Sequence, residues 1–297
     1  MIVAEGLSKT YGSVRAVNDV SFTVQPGRVT GFLGPNGAGK TTTLRMSTGL
    51  VKADVGRTLF DGMPYGVIEK PLHRVGVVLE PVIFHPGRTA LDHLLMIAPY
   101  ARVPRQRCEE VLGLVGLSEV ADKRVGKFSL GMRGRLNLAA GLLGDPDILL
   151  LDEPVNGLDP EGIRWIRELL RSLAGQGRTI LVSSHLLSEM QQTVDEVVII
   201  AHGKLIYEGS LASLEASTSS VVEVDSSQPE AVLAYAQTRG WAVKPGRPKV
   251  VTLEGPTPEE VAAGVVGAGI PLSGLTTQTI DLESIFLQMT EGQGAMR

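Results

Sequence analysis

Gly34-Pro35-Asn36-Gly37-Ala38-Gly39-Lys40-Thr41 decides the fold of this chain. The run fills every fixed position of G-x-x-x-x-G-K-[ST]. Before it, Val29 to Leu33 reads as a buried strand; after it, Thr41 to Gly49 reads as a helix. Glycines at these places let backbone N–H groups close around phosphates, and a helix start adds positive potential. Lys40 is expected to set its charge on β- and γ-phosphates, and the Thr41 hydroxyl is suited to Mg²⁺. Asn36, Gly37, Ala38, Gly39 and Thr42 complete the expected nucleotide loop. A chance glycine-rich turn would not fill all positions in that context.

Downstream, Ile148-Leu149-Leu150-Leu151-Asp152-Glu153 is an apolar strand ending in two carboxylates. Alone, such a pair more often caps a helix or ends a solvated strand. Behind a phosphate loop, Asp152 becomes the expected Mg²⁺ ligand, through its water shell, and Glu153 the group that positions the attacking water. Asp159-Pro160 then opens a helix with Ile163, Ile166, Leu170 and Leu173 at helical spacing. A strand at Thr179–Val182, a helix at Leu186–Gln192 and a strand at Val197–Ala201 follow. This alternation predicts an α/β fold with a largely parallel sheet. Upstream, Val20–Val24 reads as a strand. Residues 89–144 read as mostly helical, with Thr89 as N-cap, Asp92 in the first turn, and Pro99 and Pro104 as breaks.

The small and polar residues 209–220 mark a boundary. The expected division is 1–210, a linker at 211–220, and a C-terminal domain at 221–297. Its elements run strand (Val221–Val224), helix (Pro229–Arg239), strand (Trp241–Lys244), strand (Val250–Leu253), helix (Pro258–Ala268), strand (Leu272–Ile280). That order predicts a small ferredoxin-like α+β module, and a last helix is expected at Leu282–Met289. No ligand constellation stands out in it, so a dimerisation brace is the expected role.

Composition narrows the function classes. A net charge of −4 over 297 residues argues against nucleic acid as the main partner. A single cysteine, Cys108, excludes an internal disulfide framework. The opening residues lack the pattern of a signal peptide. No apolar run reaches the ~18–20 residues that span a bilayer, so service to a membrane would go through a partner. His73, His85, His93 and His202 have no motif context and read as solvated or internally satisfied.

Four further segments resemble the ATP-binding cassette (ABC) family. Phe128-Ser129-Leu130-Gly131-Met132 stands where that family has its L-S-G-G-Q signature, and Asn156-Gly157-Leu158-Asp159-Pro160 resembles its D-loop. His185 falls at the place of the switch histidine, and Tyr11 at that of the A-loop aromatic that stacks on adenine. The resemblance covers roughly residues 1–210. It implies a P-loop NTPase core with a β subdomain and a helical signature subdomain, using ATP and Mg²⁺. It also implies two cassettes arranged head to tail, each ATP lying between one phosphate loop and the other copy's signature. Ser129, Gly131 and Asp159 then join the nucleotide set, Glu153 and His185 become the catalytic pair, and Glu80 becomes a metal-side ligand.

Two departures stand out. Glu80 takes the place of the family's usual glutamine, and Leu130 and Met132 replace the signature's first glycine and its glutamine. With the tail Leu282–Thr290, these features resemble bacterial drug- and antibiotic-type exporter ATPases. The implied partners are an integral membrane permease, at the cytoplasmic face of the cell membrane, and a second copy or related cassette. Val82, Ile83 and Phe84 are expected to line the permease groove. Two alternatives remain open at this point. One is a non-transport ABC ATPase acting on nucleic acid or ribosomes; the other is a GTPase or kinase of the wider P-loop group.

Overall fold

A computed structural model describes residues 1–80, 84–185, 190–216, 221–244 and 250–278. The chain forms two compact units that divide between Leu211 and Ala212. The first opens with β1 (Ile2–Tyr11), β2 (Val14–Val24), β3 (Val29–Leu33), α1 (Lys40–Ser47), β4 (Val55–Phe60) and β5 (Met63–Pro64). It continues through α2 (Pro71–Arg74), β6 (Val75–Val78), α3 (Ala90–Ala101), α4 (Arg105–Leu114) and α5 (Leu130–Leu142). It closes with β7 (Ile148–Asp152), α6 (Pro160–Gly175), β8 (Thr179–Ser184), β9 (Glu196–Ala201) and β10 (Lys204–Ser210).

Strands β9-β3-β8-β7-β6 lie parallel in that order, and β10 adds antiparallel to the β9 edge. β3, β7 and β8 are buried along their whole length. Their near-continuous apolar runs fit strands covered on both faces. A second, antiparallel sheet has the order β2-β1-β4-β5. Phe22, Phe32, Leu44, Phe60, Leu150 and Leu181 share one core between the two sheets, and the rings of Phe22 and Phe32 sit 5.2 Å apart.

Several elements differ from the sequence expectation. The early strand begins at Val14, and β1 and β4 pair with each other although more than forty residues separate them. Pairing of that range leaves no local signature. Pro99 does not break its helix but lies in the last turn of α3. The helix stops shortly after it, at Arg102, which is left-handed with φ 51°, so no further turn has to continue past the missing donor. Thr89 does cap α3, in a reciprocal pair with Asp92. Of the helix expected at Leu186–Gln192, residues 186–189 lie outside the described residues, as do Val82 and Ile83.

α7 (Leu211–Ala216) gives helical structure to the first part of the expected linker. In the second unit come β11 (Val221–Asp225), α8 (Pro229–Arg239), β12 (Ala242–Lys244), β13 (Val250–Glu254), α9 (Pro258–Gly267) and β14 (Gly274–Gln278). Its antiparallel sheet has the order β12-β13-β11-β14, the β-α-β-β-α-β arrangement. Val222, Val224, Val232, Val251, Leu253, Val261 and Val265 form its core. The strand expected at Leu272–Ile280 is described as Gly274–Gln278, and the helix expected at Leu282–Met289 lies outside the described residues.

Candidate nucleotide-binding site

Two glycines shape the loop that leaves β3. A Cβ at Gly34 would collide with the Ile200 carbonyl. Gly39 has φ +105°, and a Cβ there would meet the Ala16 carbonyl at 2.5 Å. Gly39 also precedes α1 without offering a side-chain cap. The first-turn N–H groups of α1 are thereby left for a ligand.

Lys40 is only 6% exposed. Its Nζ donates to the Gly34 carbonyl at 2.6 Å and lies 3.5 Å from Glu153 Oε1. Thr41 Oγ1 donates to Asp152 Oδ2 at 2.9 Å. The parallel register of β7 and β8 sets Asp152 opposite Ser183. Ser183 Oγ donates to Asp152 Oδ1 at 2.6 Å and accepts from the Glu153 N–H at 2.9 Å. Asp152 is 1% exposed, so these two hydroxyl donors replace the hydration that its charge has lost.

Glu153 follows with φ +50°, an uncommon left-handed conformation for a residue with a side chain. The turn directs its carboxylate between two bases. Oε2 lies 2.9 Å from His185 Nδ1 and Oε1 faces Lys40. Glu80 presents its backbone carbonyl to Arg45 Nη2 at 2.7 Å. Partial desolvation pushes the Glu80 carboxyl above the ordinary carboxylate range, opposed by a hydrogen bond from the Asn156 side chain and reinforced by the charges of Asp152 and Glu153.

Tyr11, at the end of β1, is 48% exposed, with Lys9 Nζ 5.5 Å from its ring centroid. A cleft of about 530 Å³ joins Tyr11, residues 36–42, Glu80, Glu153, Asn156 and His185. Its size is that of a small-molecule site. A separate cleft of about 290 Å³ is bounded by residues 129–132, Arg135 and residues 157–159. There Ser129 caps α5 by accepting from the Met132 N–H at 3.2 Å, and Asp159 Oδ1 caps α6 by accepting from the Gly162 N–H at 2.9 Å. Within one chain, Ser129, Gly131 and Asp159 thus border a different cleft from the phosphate loop.

Sequence reasoning missed Ser183 and Asn156. Asn156 was visible as the first residue of the D-loop segment, although its neighbour Glu80 was not. Ser183 carried no local signal beyond its place two residues before His185. The other histidines sit elsewhere: His73 Nε2 meets the Ala101 carbonyl, and the His93 ring packs edge-on against Phe84.

Thr41, Asp152 and Glu80 supply oxygen donors of the kind Mg²⁺ takes. Among the described residues, no group of three or more His, Cys, Asp or Glu is placed to hold a metal by itself. A few protein oxygens completed by phosphate and water are the usual magnesium set, so the residues present fit this ion.

The sequence model of the family described as "ABC transporter" matches residues 17–156. A model described as an AAA domain also matches residues 124–190. Bacitracin transport ATP-binding protein BcrA of Bacillus licheniformis is 45% identical, over 70% of this chain and 69% of that protein. Lantibiotic transport ATP-binding protein SrtF of Streptococcus pyogenes is 36% identical, over 70% of this chain and 90% of that one. Uncharacterized ABC transporter ATP-binding protein YdbJ of Bacillus subtilis is 33% identical over 96% of this chain and 94% of its own length. Among solved structures, the dimeric post-hydrolysis state of the ATP-binding cassette MJ0796 with ADP and Pi superposes with a TM-score of 0.65. It has 25% identity and covers 71% of this chain and 99% of that one.

Proposed function

The chain belongs to the ATP-binding subunits of ABC transporters, the family whose cassettes hydrolyse ATP, and on that footing we propose the residues that do the work and the partners they serve. Adenine stacks on Tyr11. The N–H groups of residues 36–42 wrap the phosphates, and Lys40 exchanges the Gly34 carbonyl for the β- and γ-phosphates. Thr41 and Asp152, with Glu80 beside them, hold Mg²⁺, which when bound offsets phosphate charge. Glu153 accepts a proton from water as the water oxygen bonds to the γ-phosphorus and the bond to the β-phosphate oxygen breaks. His185 holds the Glu153 carboxylate in place and hydrogen-bonds toward the γ-phosphate.

Ser129 and the Gly131 N–H, together with Asp159, serve the ATP of a second copy. Their separate cleft supports this, because nothing in their own chain's phosphate loop borders it. Closure of the two copies on ATP drives an integral membrane permease from the cytoplasmic face. No helix among the described residues is long and apolar enough to cross a membrane. The bacitracin and lantibiotic transport relatives support export of peptide-antibiotic-type cargo.

The observation that carries the mechanism is the Glu153 carboxylate set between Lys40 and His185 at an open cleft. Glu153→Gln keeps the shape and removes the base. ATP binding should persist while phosphate release falls by about 10²–10⁴-fold; undiminished release would remove Glu153 from this role. Copurification from gently solubilised membranes should recover a membrane protein. Recovery of soluble nucleic-acid complexes alone would overturn the transport assignment.

A further inference from the structure

The signature departs from its family pattern at Leu130, and the side chain there lies over Gly157, 27 residues downstream. Leu130 is 67% exposed at the start of α5, yet its side chain rests over Gly157. A Cβ at Gly157 would lie 2.6 Å from Leu130 Cγ, closer than real side chains approach, and would strike Cδ2 as well. The fit is reciprocal. A Cβ at Gly131 would meet the Gly157 carbonyl oxygen at 3.1 Å and Leu158 Cδ2 at 3.4 Å. Gly157 also has φ +73°, which a glycine adopts without strain. The Leu130 side chain thus fills the space that a side chain at residue 157 would need. A third contact extends the join: the Arg135 guanidinium stacks 4.8 Å from the Trp165 ring centroid, tying α5 to α6.

We infer that Leu130 is a positioning residue, which seats the signature segment on Gly157 and so fixes Ser129 and Gly131 relative to the loop that carries Glu153. The inference rests on the proposed role of Ser129 and Gly131 toward a second copy's ATP. Segment 153–159 is a tight turn, in which the Asn156 N–H donates to the Glu153 carbonyl and the Leu158 N–H to Val155. Displacement of Glu153 is therefore passed to Gly157, and from there to Leu130. A mobile leucine on a left-handed glycine would give no such transmission. A leucine seated closely on the Gly157 backbone does.

A substitution cycle in the full-length chain tests this. Gly157→Ala inserts the methyl beneath Leu130. It should lower kcat for ATP by about tenfold or more, with nucleotide affinity of the single chain kept within about twofold. Leu130→Gly removes the seat and should lower kcat about threefold. In the Leu130→Gly background, Gly157→Ala should then cost no more than about twofold, because the collision is gone while the strain of φ +73° is the same in both backgrounds. Equal cost of Gly157→Ala in both backgrounds would overturn the inference, since the effect would then be backbone strain alone. So would a silent Gly157→Ala. Leu130 is exposed, so Leu130→Gly keeps the cycle readable even where Gly157→Ala folds poorly; a kcat for Leu130→Gly equal to wild type would also overturn it. Sedimentation of the wild-type chain with ATP separates the two levels of the argument. ATP-dependent pairing with a failed cycle overturns the Leu130 seat alone. A chain that stays single, with turnover independent of its concentration, overturns the two-copy reading and the seat with it.

Discussion

The phosphate-loop cleft and the signature cleft are built by opposite means. At the first, Asp152 and Ser183 are buried at the ends of fully covered parallel strands and Lys40 is buried at the start of α1, and a hydroxyl or carbonyl meets each charge. At the second, Ser129 and Asp159 are helix caps on open loops, each spending its side-chain oxygen on its own helix. The first is organised before any ligand arrives. The second presents a helix start on an open cleft, where the proposed second copy would bind. Burial is therefore concentrated at the proposed site of bond breaking, and openness where a second copy would dock.

The sharpest way to break this contrast is to remove the cation at its centre. Lys40→Ala leaves Glu153 facing His185 alone and would remove the cation proposed to meet the phosphates. ATP binding should weaken strongly and phosphate release fall by about 10³-fold or more, because charge-aimed contacts of this kind dominate phosphoryl transfer. Binding of a fluorescent ATP analogue and a phosphate-release assay read the two effects separately. Near-normal binding would mean that the buried lysine is structural.

Ser183→Ala probes the same cleft at one remove. It takes a donor from a buried carboxylate and an acceptor from the Glu153 N–H, so stability should fall by about 1–3 kcal/mol. The Glu153 turn should loosen as well, lowering kcat about tenfold with little change in KM. Thermal melts and steady-state kinetics check both. Ser129→Ala is the matching change in the other cleft. Loss of an N-cap costs about 0.5–2 kcal/mol, less than a core defect would. The larger kinetic loss should appear only under conditions that allow two copies to pair. An equal loss in the single chain would erase the proposed division of labour.

How much of this was legible in the sequence follows from the same division. Lys40, Thr41, Asp152 and Glu153 sit in local patterns, a glycine loop and an apolar strand with an acidic end, so reading along the chain finds them. The caps Thr89 and Asp159 are local too, and the structure forms both. Ser183 is not local: its role comes from the β7–β8 register, which no residue near it announces. The same reason hid β1 and β4, whose pairing is long-range. Pro99 misled because the helix stops two residues after it, so its missing N–H disturbs only the last turn and does not split the helix in two. Leu130 was visible as a departure, whereas the space that Gly157 makes for it required coordinates.

The smallest predicted effect tests whether the first cleft is crowded with negative charge. Glu80 shares it with Asp152 and Glu153, and its carboxyl is held above the ordinary range. A carboxyl whose folded pKa is raised binds its proton more readily folded than unfolded. Its ionisation therefore subtracts stability as pH climbs from the unfolded value of about 4.5 through the raised folded value, and the full penalty stands above that. Glu80→Gln removes the penalty. Without nucleotide or Mg²⁺, the variant should melt higher than the wild type at pH 7–8, and the difference should shrink to nothing below about pH 4.5. Glu80 remains open to solvent, and screening limits the gain to about a few tenths of a kcal/mol, or roughly 1 °C. A variant that melts lower at neutral pH would instead make the Asn156 hydrogen bond the dominant influence on Glu80. The cleft would then be balanced before nucleotide arrives, and the difference between it and the signature cleft would lie in burial alone.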